Sequence, residues 1–263
     1  MSSIVDIVRK QRISIIVTAV VLAAVSLYYF VWGSPYPGMT YIYRDASVYT
    51  DMKLKASYKD GALKVFALAN PAALSAYRVS EGEPVPGENR VVIGGAEAAM
   101  MRREGLFKRR GDTIPGLFGI DPVVGGVLKR TYGLMDDMHF VSEPGYSRVQ
   151  GEEGRLFIAF KDSRSPKLFF VLAEGEDPPI TLPFAEGSLS DYSVREIGGK
   201  RYYPVILGAD EAAMMKFERL IAQSGDTLDG FFGNDIFIAG VLKKTNTIID
   251  MAHISPLAPA DIR

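Results

Sequence analysis

The chain has 263 residues, of which 48% are hydrophobic, so it can bury sizeable cores and is not globally disordered. Its 30 basic and 31 acidic residues give a net charge of −1, whereas nucleic-acid-binding proteins usually carry a clustered basic excess. Cysteine is absent, which excludes disulfides, thiolate metal sites and cysteine nucleophiles.

An uncharged run near the N-terminus, residues 13–32, has the length of a membrane-spanning helix. At about 1.5 Å per residue it would extend about 30 Å, the hydrocarbon thickness of a bilayer. Three basic residues stand just before it: Arg9, Lys10 and Arg12. The positive-inside rule then predicts a cytoplasmic stub at 1–12, a transmembrane helix at 13–32 and a linker at 33–48.

These features predict a single-pass protein of the cell membrane, with a cytoplasmic N-terminus and a periplasmic or extracellular bulk. The alternative interpretation is a cleaved signal peptide, for which Ala24-Val25-Ser26 is a possible cleavage site. Its apolar region would usually be about 7–15 residues long, which favours the retained anchor.

A tandem duplication follows. Residues 91–141 align with residues 205–255 without a gap, at an offset of 114 and with 23 identities in 51 positions. Such an internal repeat indicates two copies of one structural unit. We expect the first unit at 49–143 and the second at 144–263.

Each copy has the pattern of a short strand, a helix and glycine-rich turns. Strands are expected at 91–93 and 205–207, and helices rich in Ala, Met and Glu at 96–106 and 210–222. Further buried strands follow at 123–128 and 237–242. The predicted fold class is therefore α+β: a single N-terminal transmembrane helix followed by two tandem homologous α+β units with mostly short strands.

The first copy resembles the extracytoplasmic core domain of MacB/FtsX-type ABC transporter permeases. Three groups of residues carry this resemblance: Gly111, Asp112, Thr113 and Ile114; Val124, Gly126, Val127 and Leu128; and Thr131, Gly133, Asp136, Asp137, Phe140 and Val141. The second copy departs from the pattern at Thr247, and the chain lacks the later helices of a permease. The resemblance implies a non-catalytic extracytoplasmic module that contacts other proteins.

Both histidines occupy equivalent repeat positions, and each follows an aspartate by three residues. The pairs are Asp136 with His139 and Asp250 with His253. Imidazole and carboxylate are ligands for divalent metals, which makes these four residues candidate metal ligands. We favour a structural role, because each copy offers only two ligands and a stable zinc site needs three or four.

Two further site hypotheses remain open. Thioethers and imidazoles suit copper. Met100-Met101 and Met214-Met215 are duplicated pairs, and Met135, Met138 and Met251 lie near the histidines in sequence. Methionine beside alanine on a helix more often fills a core. Asp112 and Asp226, in duplicated Gly-Asp-Thr turns, would be the carboxylates of a hydrolase, although aspartate in such a turn usually caps it.

These patterns predict a non-catalytic, membrane-anchored accessory or scaffolding subunit of a larger membrane complex. Its expected partners are other membrane subunits, through the transmembrane helix and the extracytoplasmic units, and the lipid bilayer, but not nucleic acid. No cofactor is expected and no enzymatic activity. The alternative is an extracytoplasmic metal-binding protein that uses the Asp-x-x-His pairs.

Overall fold

A mixed seven-stranded sheet forms the first half of the described chain. The computed structural model describes residues 53–59, 62–69, 74–75, 77–131, 133–160 and 166–262. The strands of the first sheet are β1 (Leu54–Lys59), β2 (Ala62–Leu68), β3 (Val79–Gly82), β4 (Arg90–Ile93), β5 (Val123–Leu128), β6 (Met138–Val141) and β7 (Glu152–Glu153). Their spatial order is β3-β5-β4-β6-β2-β1-β7. The β2–β6 and β4–β5 pairs are parallel.

A second mixed sheet repeats this arrangement. Its strands are β8 (Leu156–Phe160), β9 (Pro166–Val171), β10 (Phe184–Gly187), β11 (Arg195–Ile197), β12 (Lys200–Leu207), β13 (Thr227–Phe231), β14 (Asn234–Leu242) and β15 (Ala252–Ser255). The order β10-β14-β12-β15-β9-β8 matches β3-β5-β4-β6-β2-β1 strand for strand, while β11 and β13 are additions on β12 and β14. The duplication therefore includes strands on the N-terminal side of the aligned 51 residues.

Short helices connect these strands. The α-helices of the described residues are α1 (Gly95–Arg103), α2 (Glu143–Arg148) and α3 (Ala209–Phe217), and the 3₁₀ segments are η1 (Leu134–Asp137), η2 (Leu189–Asp191), η3 (Ile248–Met251) and η4 (Pro259–Asp261). Helix α1 carries Glu97 in its first turn and Arg102 and Arg103 in its last, which complements the helix dipole. Each repeat thus has one main helix, in the predicted place.

The predicted α+β fold class is wrong, because the described chain is mostly β-sheet. Segments whose composition is typical of turns become strands: β3 ends at the start of a Gly- and Pro-rich stretch, and β13 begins at Thr227, the last residue of a Gly-Asp-Thr turn. Both pair with a long neighbouring strand of their sheet. Tertiary pairing of this kind overrides a weak local preference.

The expectation of a single-pass membrane protein is not supported by the structure. Within the described residues, no helix is long and apolar enough to cross a membrane. Helices α1 and α3 have nine residues each, against the roughly 20 that a spanning helix needs. The predicted span itself, 13–32, lies outside the described residues. The membrane localisation derived from that span is unsupported in the same way and is withdrawn.

Each sheet has its own hydrophobic core, and equivalent residues build both. Val91, Met101 and Val124 are buried in the first core, and their counterparts Val205, Met215 and Ile238 are buried in the second. All described residues belong to one compact unit, in which the repeats meet through η1 and η3 and through β1 and β8.

A phenylalanine in left-handed backbone conformation recurs at equivalent turns. Phe118 has φ +47° and Phe232 has φ +48°, a conformation that is costly for a bulky residue. The ring of Phe118 packs edge-on against Phe66, and that of Phe232 packs edge-on against Phe169. Core contact of these rings offsets the backbone strain.

In each repeat, one glycine before the main helix lies in close contact with a 3₁₀ segment. Gly94 precedes α1, and a Cβ there would overlap the carbonyl oxygens of Met135 and Asp136 in η1. Gly208 precedes α3, and a Cβ there would overlap the carbonyl oxygen of Ile249 in η3. Only glycine permits this approach, so these positions hold η1 and η3 against their helices.

We predict that Gly94→Ala lowers the free energy of unfolding by about 2 kcal/mol or more, because the added methyl group forces backbone apart. The matched control is Gly133→Ala. Gly133 has an extended backbone and the nearest atom to its Cβ would be Thr131 Oγ1, at 3.6 Å. Urea unfolding measures both variants, and equal costs would contradict the close-approach argument.

Candidate functional site: two buried Lys–Glu–His clusters and the cleft between the repeats

A buried cluster of three polar side chains ties the helix of the first repeat to its sheet. Lys64 on β2 donates a hydrogen bond from Nζ to Glu97 Oε1 on α1, at 2.5 Å. His139 Nε2 on β6 lies 3.5 Å from the same oxygen. His139 is fully buried, and Glu97 is 2% exposed. The cluster therefore joins two neighbouring strands and the helix away from solvent.

The second repeat contains the same cluster. Lys167 on β9 donates from Nζ to Glu211 Oε1 on α3 at 2.5 Å. His253 Nε2 on β15 lies 3.3 Å from that oxygen. Glu211 is 1% exposed and His253 is fully buried. The duplication has preserved residue types, partners and distances together.

Aromatic rings enclose both imidazoles. The His139 ring stacks on Phe66, its neighbour across the β2–β6 pair, with centroids 4.7 Å apart. The His253 ring stacks on Phe169 at 5.0 Å and on Phe231 at 5.4 Å. These apolar faces exclude water from the side of the imidazole that does not meet the glutamate.

Burial determines the charge states in the clusters. It lowers the pKa of His139; the Glu97 charge opposes this shift and Lys64 adds to it. Burial alone would raise the pKa of Glu211, but His253 and Lys167 outweigh it and lower that pKa. In the first repeat, the lowered pKa of His139 and the short Lys64–Glu97 contact support a lysine–glutamate ion pair beside a neutral imidazole. Buried in the core, each cluster connects a helix to two strands.

The aspartates of the two Asp-x-x-His pairs have different partners from the histidines. Asp136 accepts hydrogen bonds from the backbone N–H and the hydroxyl of Thr131, each at 2.8 Å. Asp250 accepts the equivalent bonds from Thr245, also at 2.8 Å. Both carboxylates therefore fix the turn that precedes the 3₁₀ segment. Across the described part of the chain, no group of three or more His, Asp or Glu side chains is arranged to hold a metal ion.

The other candidate site residues from the sequence, the methionines and the aspartates of the Gly-Asp-Thr turns, have structural roles. Four of the methionines are core residues, each 1% exposed or less: Met101, Met135, Met138 and Met215. Asp112 Oδ2 accepts the backbone N–H groups of Lys108 and Arg109, and Asp226 Oδ2 accepts those of Ala222 and Gln223. These backbone hydrogen bonds lower the pKa of both aspartates. Each aspartate caps its own turn.

A cleft of about 240 Å³ lies between the repeats. The same structural positions of both repeats line it, namely the main helix, the basic residue after the long strand, and the 3₁₀ segment. The first repeat contributes Ala96, Ala99, Met100, Arg103, Arg130, Gly133, Asp136 and Asp137, and the second contributes Asp210, Lys244, Asn246, Thr247, Asp250 and Met251. The cleft is a product of the duplication, since neither repeat forms it alone.

One carboxyl group of the cleft, that of Asp137, has a strongly raised pKa. Burial raises its pKa to about 7, with further increases from the negative charges of Asp136, Glu97 and Asp250 and a decrease from Arg130. The equivalent residue of the second repeat is Met251. Equivalent elements of the two repeats therefore line the cleft, but the charges that they contribute differ.

The sequence did not identify the cluster lysines, the cluster glutamates or Asp137 as site residues, although Asp137 is part of the family resemblance. A signal for the lysines was present: β2 and β9 both contain a Lys-x-Phe pattern, Lys64-Val65-Phe66 and Lys167-Leu168-Phe169. Its spacing is 103 residues rather than 114, so the gapless alignment did not include it. Glu97 and Glu211 were within the alignment, but nothing in their helical context distinguished them from solvent-exposed glutamates.

We predict that Lys64→Met lowers the free energy of unfolding by about 3–5 kcal/mol, because Glu97 is left buried without its cation. Combining it with Glu97→Leu removes the unpaired charge and recovers part of the loss. The control is Lys200→Met, which removes an exposed partner of Asp229 at 2.7 Å and costs under about 1 kcal/mol. Equal costs for the two lysine variants in urea unfolding would contradict the cluster's role.

Comparison of the chain with models of known protein families, with characterised proteins and with solved structures finds no match.

Proposed function

We propose that this chain is a non-catalytic interaction subunit that binds another protein within a larger assembly. The observation that carries the proposal is the exposure of Phe217, the last residue of α3, whose side chain is 88% exposed. Leu220, three residues further along, is 37% exposed. Full burial of a phenylalanine side chain is worth roughly 1.5–3 kcal/mol, which contact with a partner would recover.

Divergence between the repeats supports a specific role for this position. The residue equivalent to Phe217 in the first repeat is Arg103, which has the charge expected at an exposed helix end. The helix of the second repeat has an aromatic ring at that place. Aromatic residues are enriched among the side chains that dominate binding energies at protein interfaces.

The state of the polar groups supports binding over catalysis. The imidazoles lie in the cores, and the candidate carboxylates of the sequence cap turns. The resemblance to the extracytoplasmic domain of MacB/FtsX-type permeases points in the same direction, because it implies a module that contacts other proteins. The membrane anchor of the original expectation is not part of this proposal.

We expect Phe217→Arg, which introduces the residue of the first repeat, to weaken association with the partner by tenfold or more, on the order of 1.4 kcal/mol. The melting temperature should stay close to that of the wild type, since this ring is almost fully exposed. The measurement is native mass spectrometry of complexes isolated from the source cells at natural expression level.

The matched control is Ile197→Arg on β11, which changes another exposed apolar side chain, 45% exposed. The proposal expects this variant to retain the complex of the wild type. A complex of unchanged composition and stability in Phe217→Arg would refute the assignment of the surface, and a monomeric wild-type chain would refute the function.

A further inference from the structure

The cleft between the repeats brings carboxylates of both copies together. Asp136 and Asp137 come from η1, and Asp250 comes from η3, and these two 3₁₀ segments contact each other. Like charges in one partly enclosed space repel each other more strongly than they would in water. The contact between the repeats is therefore sensitive to how many of these groups are ionised.

Two of the four aspartates that line the cleft are held in place by hydrogen bonds. Asp136 is fixed by its hydrogen bonds to Thr131, and Asp250 by those to Thr245 and Asn246. The close contacts at Gly94 and Gly208 hold the backbones of η1 and η3.

Cations balance part of this charge. Lys244 Nζ lies 3.6 Å from Asp250 and also pairs with Asp210 on α3, so it balances part of the negative charge on the second repeat's side of the cleft. On the first repeat's side, Asp137 faces charged groups of several elements. They are Asp136 of η1, Glu97 of α1, Arg130 after β5 and Asp250 of η3, and the cleft wall adds Arg103, Asp210 and Lys244.

We propose that this cleft is a pH-sensitive joint, closed while Asp137 is neutral and loosened when Asp137 ionises. Ionisation adds a negative charge that interacts unfavourably with Asp136 and Asp250, whose positions are fixed. The repeats then separate along η1 and η3, or the cleft admits water and cations. This property is independent of the proposed partner surface, because Phe217 does not line the cleft.

The direction of the pH dependence follows from the surroundings of Asp137. Its pKa is raised from 3.8 to about 7, with burial as the largest cause. A carboxyl group with a raised pKa in the closed state favours closure below its ordinary pKa, and that contribution is lost as the pH rises through the raised value. The cleft should therefore loosen progressively between about pH 4 and pH 7 and change little above that range.

Hydrogen exchange of the full-length protein, detected by mass spectrometry at pH 5.5 and pH 8, tests the proposal. After correction for intrinsic exchange, we expect the opening equilibrium of 133–138 and 245–252 to increase roughly thirtyfold from pH 5.5 to pH 8, because the favourable contribution is lost between pH 5.5 and the raised pKa of about 7. Asp137→Asn should abolish this increase. Met251→Asp, which adds a carboxylate at the equivalent position, should enlarge it.

The matched control is Glu196→Gln on β11, an exposed carboxylate outside the cleft. It should show the pH response of the wild type. A response in Asp137→Asn equal to that of the wild type would overturn the proposal, as would a wild type with no response. Failure of the partner surface would instead appear in Phe217→Arg, which leaves this pH response intact.

Discussion

The buried contact between one lysine, one glutamate and one histidine organises each repeat. Glu97 and Glu211 carry a negative charge from a helix into a core, where it is stable only with a cation and further contacts close by. Lys64 and Lys167 supply the cation from a neighbouring strand. Since a misplaced helix would leave the glutamate unpaired, this contact selects one position of the helix on its sheet. The 3₁₀ segments, the capped turns and the cleft all depend on that position.

Duplication preserved the interior and allowed the surface to change. The clusters, the capping aspartates and the left-handed phenylalanines are equivalent in both copies. A partly exposed ion pair from the helix to the edge strand also recurs, as Arg102 with Glu81 and Lys216 with Glu186. Core exchanges such as Val124 against Ile238 keep an apolar side chain, whereas two exchanges that alter charge lie where the copies meet or face solvent: Asp137 against Met251, and Arg103 against Phe217. A symmetric scaffold thus supports asymmetric contacts.

Some of this architecture could be predicted from the sequence, and the reasons for the failures are physical. The gapless repeat correctly indicated a shared substructure, because identical glycines and apolar residues impose identical turns and strands. The helices were placed within a few residues, but both were predicted too long: the second ends at Phe217 rather than at residue 222. The fold class was wrong because short strands such as β3 depend on partners distant in sequence.

The site was less predictable than the fold. An aspartate three residues before a histidine suggested a pair, yet Asp136 accepts hydrogen bonds from Thr131 in the preceding turn. His139 instead lies close to Glu97, 42 residues away in the chain. Strand pairing brings Lys64 to the same place, and no local pattern encodes that meeting. Burial is the largest cause of the raised pKa of Asp137, and Asp250 of the other repeat adds to it, so this shift depends on tertiary packing.

The most direct test of a sealed ion pair beside a neutral imidazole is the ¹⁵N NMR titration of the His139 ring. Burial should keep this imidazole neutral at pH 6.5, with its pKa below the ordinary value of 6.5. One ring nitrogen should then carry a proton and the other should not, at every pH from 6.5 upward. A histidine that titrates at or above pH 6.5 would contradict the account, because it would show either a solvated ring or an imidazolium cation in place of the lysine.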